Sequence, residues 1–87
     1  MEKEVNYEDL QRGCFDKEQM HQIGLGLVHK VDVSIYAKPE FDCEQMNQIR
    51  LGLEEGLDVS LYAKFKYNAV QMKEERDKLR NMLWETL

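Results

Sequence analysis

Apolar residues recur along this chain at helical spacing. Met20, Ile23 and Leu27 form one stripe, Met46, Ile49 and Leu53 a second, and Met72 with Leu79 a third. Steps of three, four and seven place each set on one face of an α-helix. The stripes repeat every 26 residues because the sequence does: residues 15–40 and 41–66 align without a gap, and 16 of 26 positions are identical. The period continues in part on both sides. Tyr67, Asn68, Gln71, Met72, Arg76 and Leu79 fall on Phe41, Asp42, Gln45, Met46, Arg50 and Leu53, while Asn6 and Leu10 fall on Asp32 and Tyr36. The chain therefore reads as one domain made of a half unit (1–14), two full units (15–40 and 41–66) and the opening helix of a third (67–87).

Polar residues mark where each helix starts. Asp16, Asp42 and Asn68 are each followed three residues on by a glutamine, Gln19, Gln45 or Gln71. That is the spacing of a capping box, in which the two side chains satisfy each other's backbone amides. An aromatic residue precedes each cap (Phe15, Phe41, Tyr67), and a methionine follows four after it (Met20, Met46, Met72). Those are the two positions of a hydrophobic staple. Gly56 with Leu57 reads as a helix stop, and Lys30 stands at the equivalent, less comfortable place in the first unit. Asp32 and Asp58 cap shorter second helices, Asn6 caps another that Gly13 closes, and Pro39 turns the chain toward the second unit. The expected helices are about 7–12, 17–28, 33–38, 43–55, 59–64 and 68–85.

A strand competes with this reading. Ile49, Leu51 and Leu53 alternate with period two, as do Ile23, Leu25 and Leu27, and the unit length lies within the leucine-rich-repeat range. The third copy argues for a helix: it keeps Met72 and Leu79 but has Glu75 and Asp77 where alternation needs Ile and Leu. On a helix Leu51 lies about 140° around from Met46, so the internal helices carry two apolar faces. The third exchanges Leu51 for Asp77 and Gly52 for Lys78, as the end of a stack requires. Gly26 and Gly52 sit mid-helix in register, which implies a close approach there; Tyr36 and Tyr62 are the candidates.

Composition narrows the function. The 87 residues are 43% hydrophobic and 33% charged, which excludes both a membrane protein and a disordered chain. Seventeen acids against twelve bases give −5, the wrong sign for a nucleic-acid footprint. Cys14 and Cys43 occupy non-equivalent positions and read as free thiols in a reducing compartment. The Met1-Glu2-Lys3-Glu4 start is no signal peptide, so a cytoplasmic location is expected.

Little here looks like chemistry. His21 and His29 are replaced by Asn47 and Glu55 in the duplicate and have no partners at metal-ligand spacing. Gly26 and Gly52 lie within helices and form no phosphate-binding loop. Ser34 and Ser60 sit in first turns, where serine is ordinary, and Glu54 with Glu55 reads as a solvated face. Catalysis, a cofactor, a metal and a small-molecule substrate are not expected. The last helix is more suggestive. Its run from Lys73 to Arg80 offers the pairs Lys73–Asp77 and Glu74–Lys78. Trp84 either packs under Arg80 or, with Arg80, Met82, Leu83 and Leu87, forms an anchor for another helix or a second copy of the chain.

The unit F-D-x-E-Q-M-x-Q-I-x-L-G-L…D-V-S-x-Y-A-K resembles a tandem repeat of uncharacterised bacterial proteins, found in Gram-positive gut bacteria and their mobile elements. The resemblance covers about residues 15–76, departs at Gly24 (Arg in the family) and Phe65 (Pro), and carries no catalytic assignment.

The expected fold is all-α, a short helical-repeat stack of alternating long and short helices with a C-terminal capping helix. Its core should draw on Phe15, Met20, Ile23, Leu27, Tyr36, Phe41, Met46, Ile49, Leu53, Tyr62, Met72 and Leu79. The expected function is a protein-interaction module that binds a protein partner or itself, with no membrane association. The alternative is a nucleic-acid-associated accessory protein of a mobile genetic element, which the family context suggests and the charge opposes.

Overall fold

The computed structural model describes residues 15–86, with side chains as far as Met82. The half unit 1–14, with its expected helix at 7–12 and Cys14, lies outside the described residues. Those described are all-helical, without a strand: α1 (Lys17–Val28), a 3-10 turn (Val33–Ile35), α2 (Cys43–Glu54), a second 3-10 turn (Val59–Leu61) and α3 (Ala69–Thr86). Ile49, Leu51 and Leu53 all lie within α2, so the period-two alternation does not make a strand.

All three long helices start as the caps dictate. Asp16 accepts from the Gln19 amide at 2.7 Å while the Gln19 side chain accepts from the Asp16 amide at 2.8 Å. Asp42 with Gln45 and Asn68 with Gln71 form the same reciprocal pairs. The ends of α1 and α2 also share one geometry. Gly56 N–H donates to Leu53 O at 3.1 Å and Leu57 N–H to Gly52 O at 2.9 Å, the two bonds of a Schellman motif. Lys30 and Val31 make the same bonds to Leu27 and Gly26. The motif needs a left-handed residue, which is Gly56 at φ 77° in one unit and Lys30 at φ 64° in the other.

The expected short helices 33–38 and 59–64 are instead three-residue 3-10 turns. The Asp32 carboxylate accepts from Ser34 N–H at 3.2 Å and Ser34 Oγ–H at 2.5 Å, and Asp58 does the same with Ser60. These local bonds fix a tight turn. The chain must also return along α1, about 18 Å for 12 residues, to begin α2.

α1 packs against α2, and α2 against α3. Ile23, Tyr36, Phe41, Met46, Ile49, Tyr62 and Met72 are buried as expected, while Phe15, Met20, Leu53 and Leu79 are partly buried against them. Val33, Leu57 and Val59 join the core although the helical stripes do not include them. Leu27 is a correction, being 55% exposed. Its counterpart Leu53 lines a hollow with Val31 of the preceding unit.

The glycines and tyrosines fit as a pair. A Cβ on Gly26 would lie 2.1 Å from the Tyr36 hydroxyl, and one on Gly52 2.1 Å from that of Tyr62. Each hydroxyl donates to a helix carbonyl, Gln22 O at 2.7 Å and Gln48 O at 2.8 Å. Burial pushes the Tyr36 hydroxyl pKa up to about 12 and raises that of Tyr62 as well. These hydroxyls are structural donors and not acids at neutral pH.

Candidate partner-binding surface

The polar residues that matter most lie in the seams between helices. Gln19 and Gln45 are buried and use both ends of their amides. The oxygen completes the capping box, and Nε2 donates across the seam, Gln19 to Phe41 O and Gln45 to Tyr67 O, each at 2.6 Å. Glutamate would complete the box but could not donate across the seam. Because Gln19 ties the start of α1 to the start of α2, and His29 meets Glu54 at their ends, the helices run in the same direction.

Arg50 and Arg76 cross the seams at equivalent places. Each is only 7% exposed. Arg50 donates from Nε to Gln22 Oε1 at 3.0 Å, from Nη1 to Glu54 Oε2 at 2.5 Å and from Nη2 to Asn47 Oδ1 at 2.7 Å. Arg76 donates from Nε to Gln48 Oε1 at 3.1 Å and from Nη1 to Glu55 Oε2 at 3.0 Å. Glu54 and Glu55 are thus the counter-ions of buried guanidinium groups, which corrects their reading as a merely solvated face. Burial works against the Glu54 carboxylate, yet hydrogen bonds from His29 and Arg50 outweigh it and hold its pKa below the ordinary value. His29 is engaged by Glu54 and is not a bare surface histidine. The sequence signal for these clamps was present in the coincidence of Arg50 with Arg76. Gly24 at the same place in the first unit obscured it.

The face of α2 that meets α3 and the outward face of α3 differ at each central position. Buried Ile49 is matched by Glu75, and Gly52 by exposed Lys78, with Lys78 and Glu75 paired at 3.2 Å. Lys78 thus pairs with Glu75, one turn back, and not with Glu74 as expected. Lys73–Asp77 forms at 3.2 Å as expected. The Lys73 hydrogen bond lowers the Asp77 pKa despite some desolvation.

α3 is also longer, with 18 residues against 12 in α1 and α2. Among the residues expected to bind a partner, Arg80 is half-buried and held by Glu55 at 3.3 Å and Asp77 at 2.7 Å. Met82 is 59% exposed. The side chains of Leu83, Trp84 and Leu87 lie outside the described residues, and Arg80 and Met82, two residues apart on α3, point to nearly opposite sides of the helix, so the structure does not bring that set together.

The hollows offer little chemistry. One of about 510 Å³, lined by His29, Lys30, Val31, Leu53 and Glu54, is open to solvent. Another of about 290 Å³ places His21 beside Cys43, but no hydrogen bond joins them. Burial, and then the carboxylates of Asp42, Glu44, Asp16 and Glu18, push the Cys43 thiol pKa up, away from a nucleophilic thiolate. Among the described residues no group of three or more His, Cys, Asp and Glu side chains could hold a metal ion, and no helix is long and apolar enough to cross a membrane. No family model, curated protein or solved structure matches the chain.

Proposed function

We propose that this protein is a non-catalytic interaction module, a short helical-repeat stack whose last helix both caps it and carries the partner-binding anchor. The observation that carries this reading is the length of α3. Positions equivalent to the Schellman turn of α2 continue as helix in α3, through Thr86, with Met82 exposed on the added turns. A helix that extends past its neighbours, with an exposed large apolar residue, offers an edge to another helix. The polar face made by Glu75 and Lys78 supports the capping role, since a terminal unit must present water-compatible side chains. A cytoplasmic location and kinship with the bacterial tandem-repeat proteins belong to the same proposal.

The test is Trp84→Ala, read by analytical ultracentrifugation for self-association and by circular dichroism for helicity. The expected outcome is weakened association, with helicity nearly unchanged. Association equal to that of the wild type overturns the anchor.

A further inference from the structure

We infer that the turn joining the second unit to α3 is a docking site for an acidic peptide segment carrying a bulky apolar side chain. The duplication supplies an internal control. Residues 38–44 and 64–70 occupy the same place in consecutive units and make the same bonds: Phe41 N–H donates to Lys38 O at 3.0 Å, Tyr67 N–H to Lys64 O at 3.1 Å, and each turn leads into a reciprocal cap. Apart from a longer Gln19 Nε2–Pro39 O bond at 3.3 Å without a counterpart at Phe65, the fold treats the two segments alike, yet their chemistry is reversed. Pro39 becomes Phe65, Glu40 becomes Lys66, Asp42 becomes Asn68 and Glu44 becomes Val70, so the net charge goes from −2 to +2.

The new apolar groups are not recruited into the core. Phe65 rests on Phe41 at 4.6 Å between ring centroids but remains 52% exposed. Val70, in the first turn of α3, is 66% exposed, and Leu61 is 51% exposed. Proline suits this turn, and giving it up forfeits about 0.4–1 kcal/mol of chain-entropy benefit. The contact with Phe41 offsets a loss of that size, but the half of the Phe65 ring left in water contributes nothing to the free protein. Lys64 and Lys66 flank Phe65 without a carboxylate within ion-pair distance among the described residues, and Lys66 lies 5.5 Å from the Tyr67 ring centroid.

Charge selects the occupant. Two lysines beside apolar groups complement carboxylates next to an aliphatic or aromatic side chain. At physiological ionic strength the screening length is about 8 Å, so these lysines act on a bound segment more strongly than the distant acids that make the chain −5 overall. A nucleic acid fits less well, because two lysines release few counterions and a single exposed aromatic ring is a poor stacking platform.

The surface is separate from the last turns of α3, so it and the Trp84 anchor fail independently. The experiment is an amide NMR titration of the full chain with a short synthetic peptide of glutamate, leucine and tryptophan. A lysine-substituted version of the peptide and a short oligothymidylate serve as comparisons. The acidic peptide should move the amide signals of residues 61–70. The triple variant Phe65→Pro/Lys66→Glu/Val70→Glu installs the residues that the first turn already folds with, and it should bind about tenfold more weakly while retaining its helicity. Transplanting Phe, Lys and Val to positions 39, 40 and 44 should create a second binding turn. Equal binding by wild type and triple variant, no response to the acidic peptide, or a response to the oligothymidylate alone overturns the proposal.

Discussion

At the scale of single residues, the duplicated turns show what one side chain costs. Lys30 and Gly56 close the same motif with the same left-handed backbone, at φ 64° and 77°. A residue with a Cβ is destabilised by roughly 1 kcal/mol in that conformation, and glycine is not. Lys30 is exposed and forms no ion pair among the described residues, so nothing offsets the strain. Lys30→Gly should therefore stabilise the protein by up to about 1 kcal/mol. Urea unfolding followed by circular dichroism would read this as a higher midpoint at unchanged slope. An unchanged or lower midpoint would show that the strain is relieved elsewhere.

At the scale of elements, the seams combine buried methionine, isoleucine and tyrosine with a guanidinium clamp, and the clamp makes stability depend on acid. Glu54 has a folded-state pKa below its ordinary value. Its contribution is therefore fully present above the ordinary carboxylate pKa and is lost as the pH falls through the depressed one. Wild-type stability should decline as the pH falls through and below the ordinary carboxylate range, and Glu54→Gln should be less stable at neutral pH with a flatter decline there. Thermal melts across the series would measure it, and parallel declines would remove Glu54 as a source. What was legible beforehand follows the same division. Caps, stripes and the Gly–Tyr pairs are local or strictly periodic, so Asp42, Met46, Gly52 and Tyr62 could be assigned from spacing alone. The coincidence of Arg50 with Arg76 marked the arginines of the clamps but not their partners, because Arg50 bonds Gln22 from 28 residues away, a pairing that helical periodicity does not specify. The second helices failed for a different reason: Asp32 reads as a helix cap, but its carboxylate takes both the amide and the hydroxyl of Ser34 and closes a single 3-10 turn, an alternative that the same spacing allows.

For the whole molecule, duplication raises the question of why helices so alike dock in one order. The two seams use one pair of positions with opposite polarity. His29 faces Glu54 in the first, and Glu55 faces Arg80 in the second. Each seam thereby gives its buried arginine one carboxylate, Glu54 for Arg50 and Glu55 for Arg76. Were α3 to lie on α1, in a slipped chain or by exchange between two chains, Arg80 would face His29 and neither position would offer Arg76 an acid. A buried guanidinium without its partner costs several kcal/mol, about 3–5 where a buried pair is broken, which is ample to reject the wrong order. The double variant His29→Glu/Glu54→Arg gives the first seam the polarity of the second. It leaves the correct order paired and makes the wrong one acceptable. It should fold to near-native helicity but populate an exchanged dimer when refolded at high concentration, seen by size-exclusion chromatography with light scattering. Glu54→Arg alone sets a second guanidinium beside Arg50 and His29 without a counter-charge, so it should be destabilised and should not form that dimer. If the double variant refolds to monomer as completely as the wild type, the order of the helices is set by their apolar surfaces, and the seam charges only tune stability.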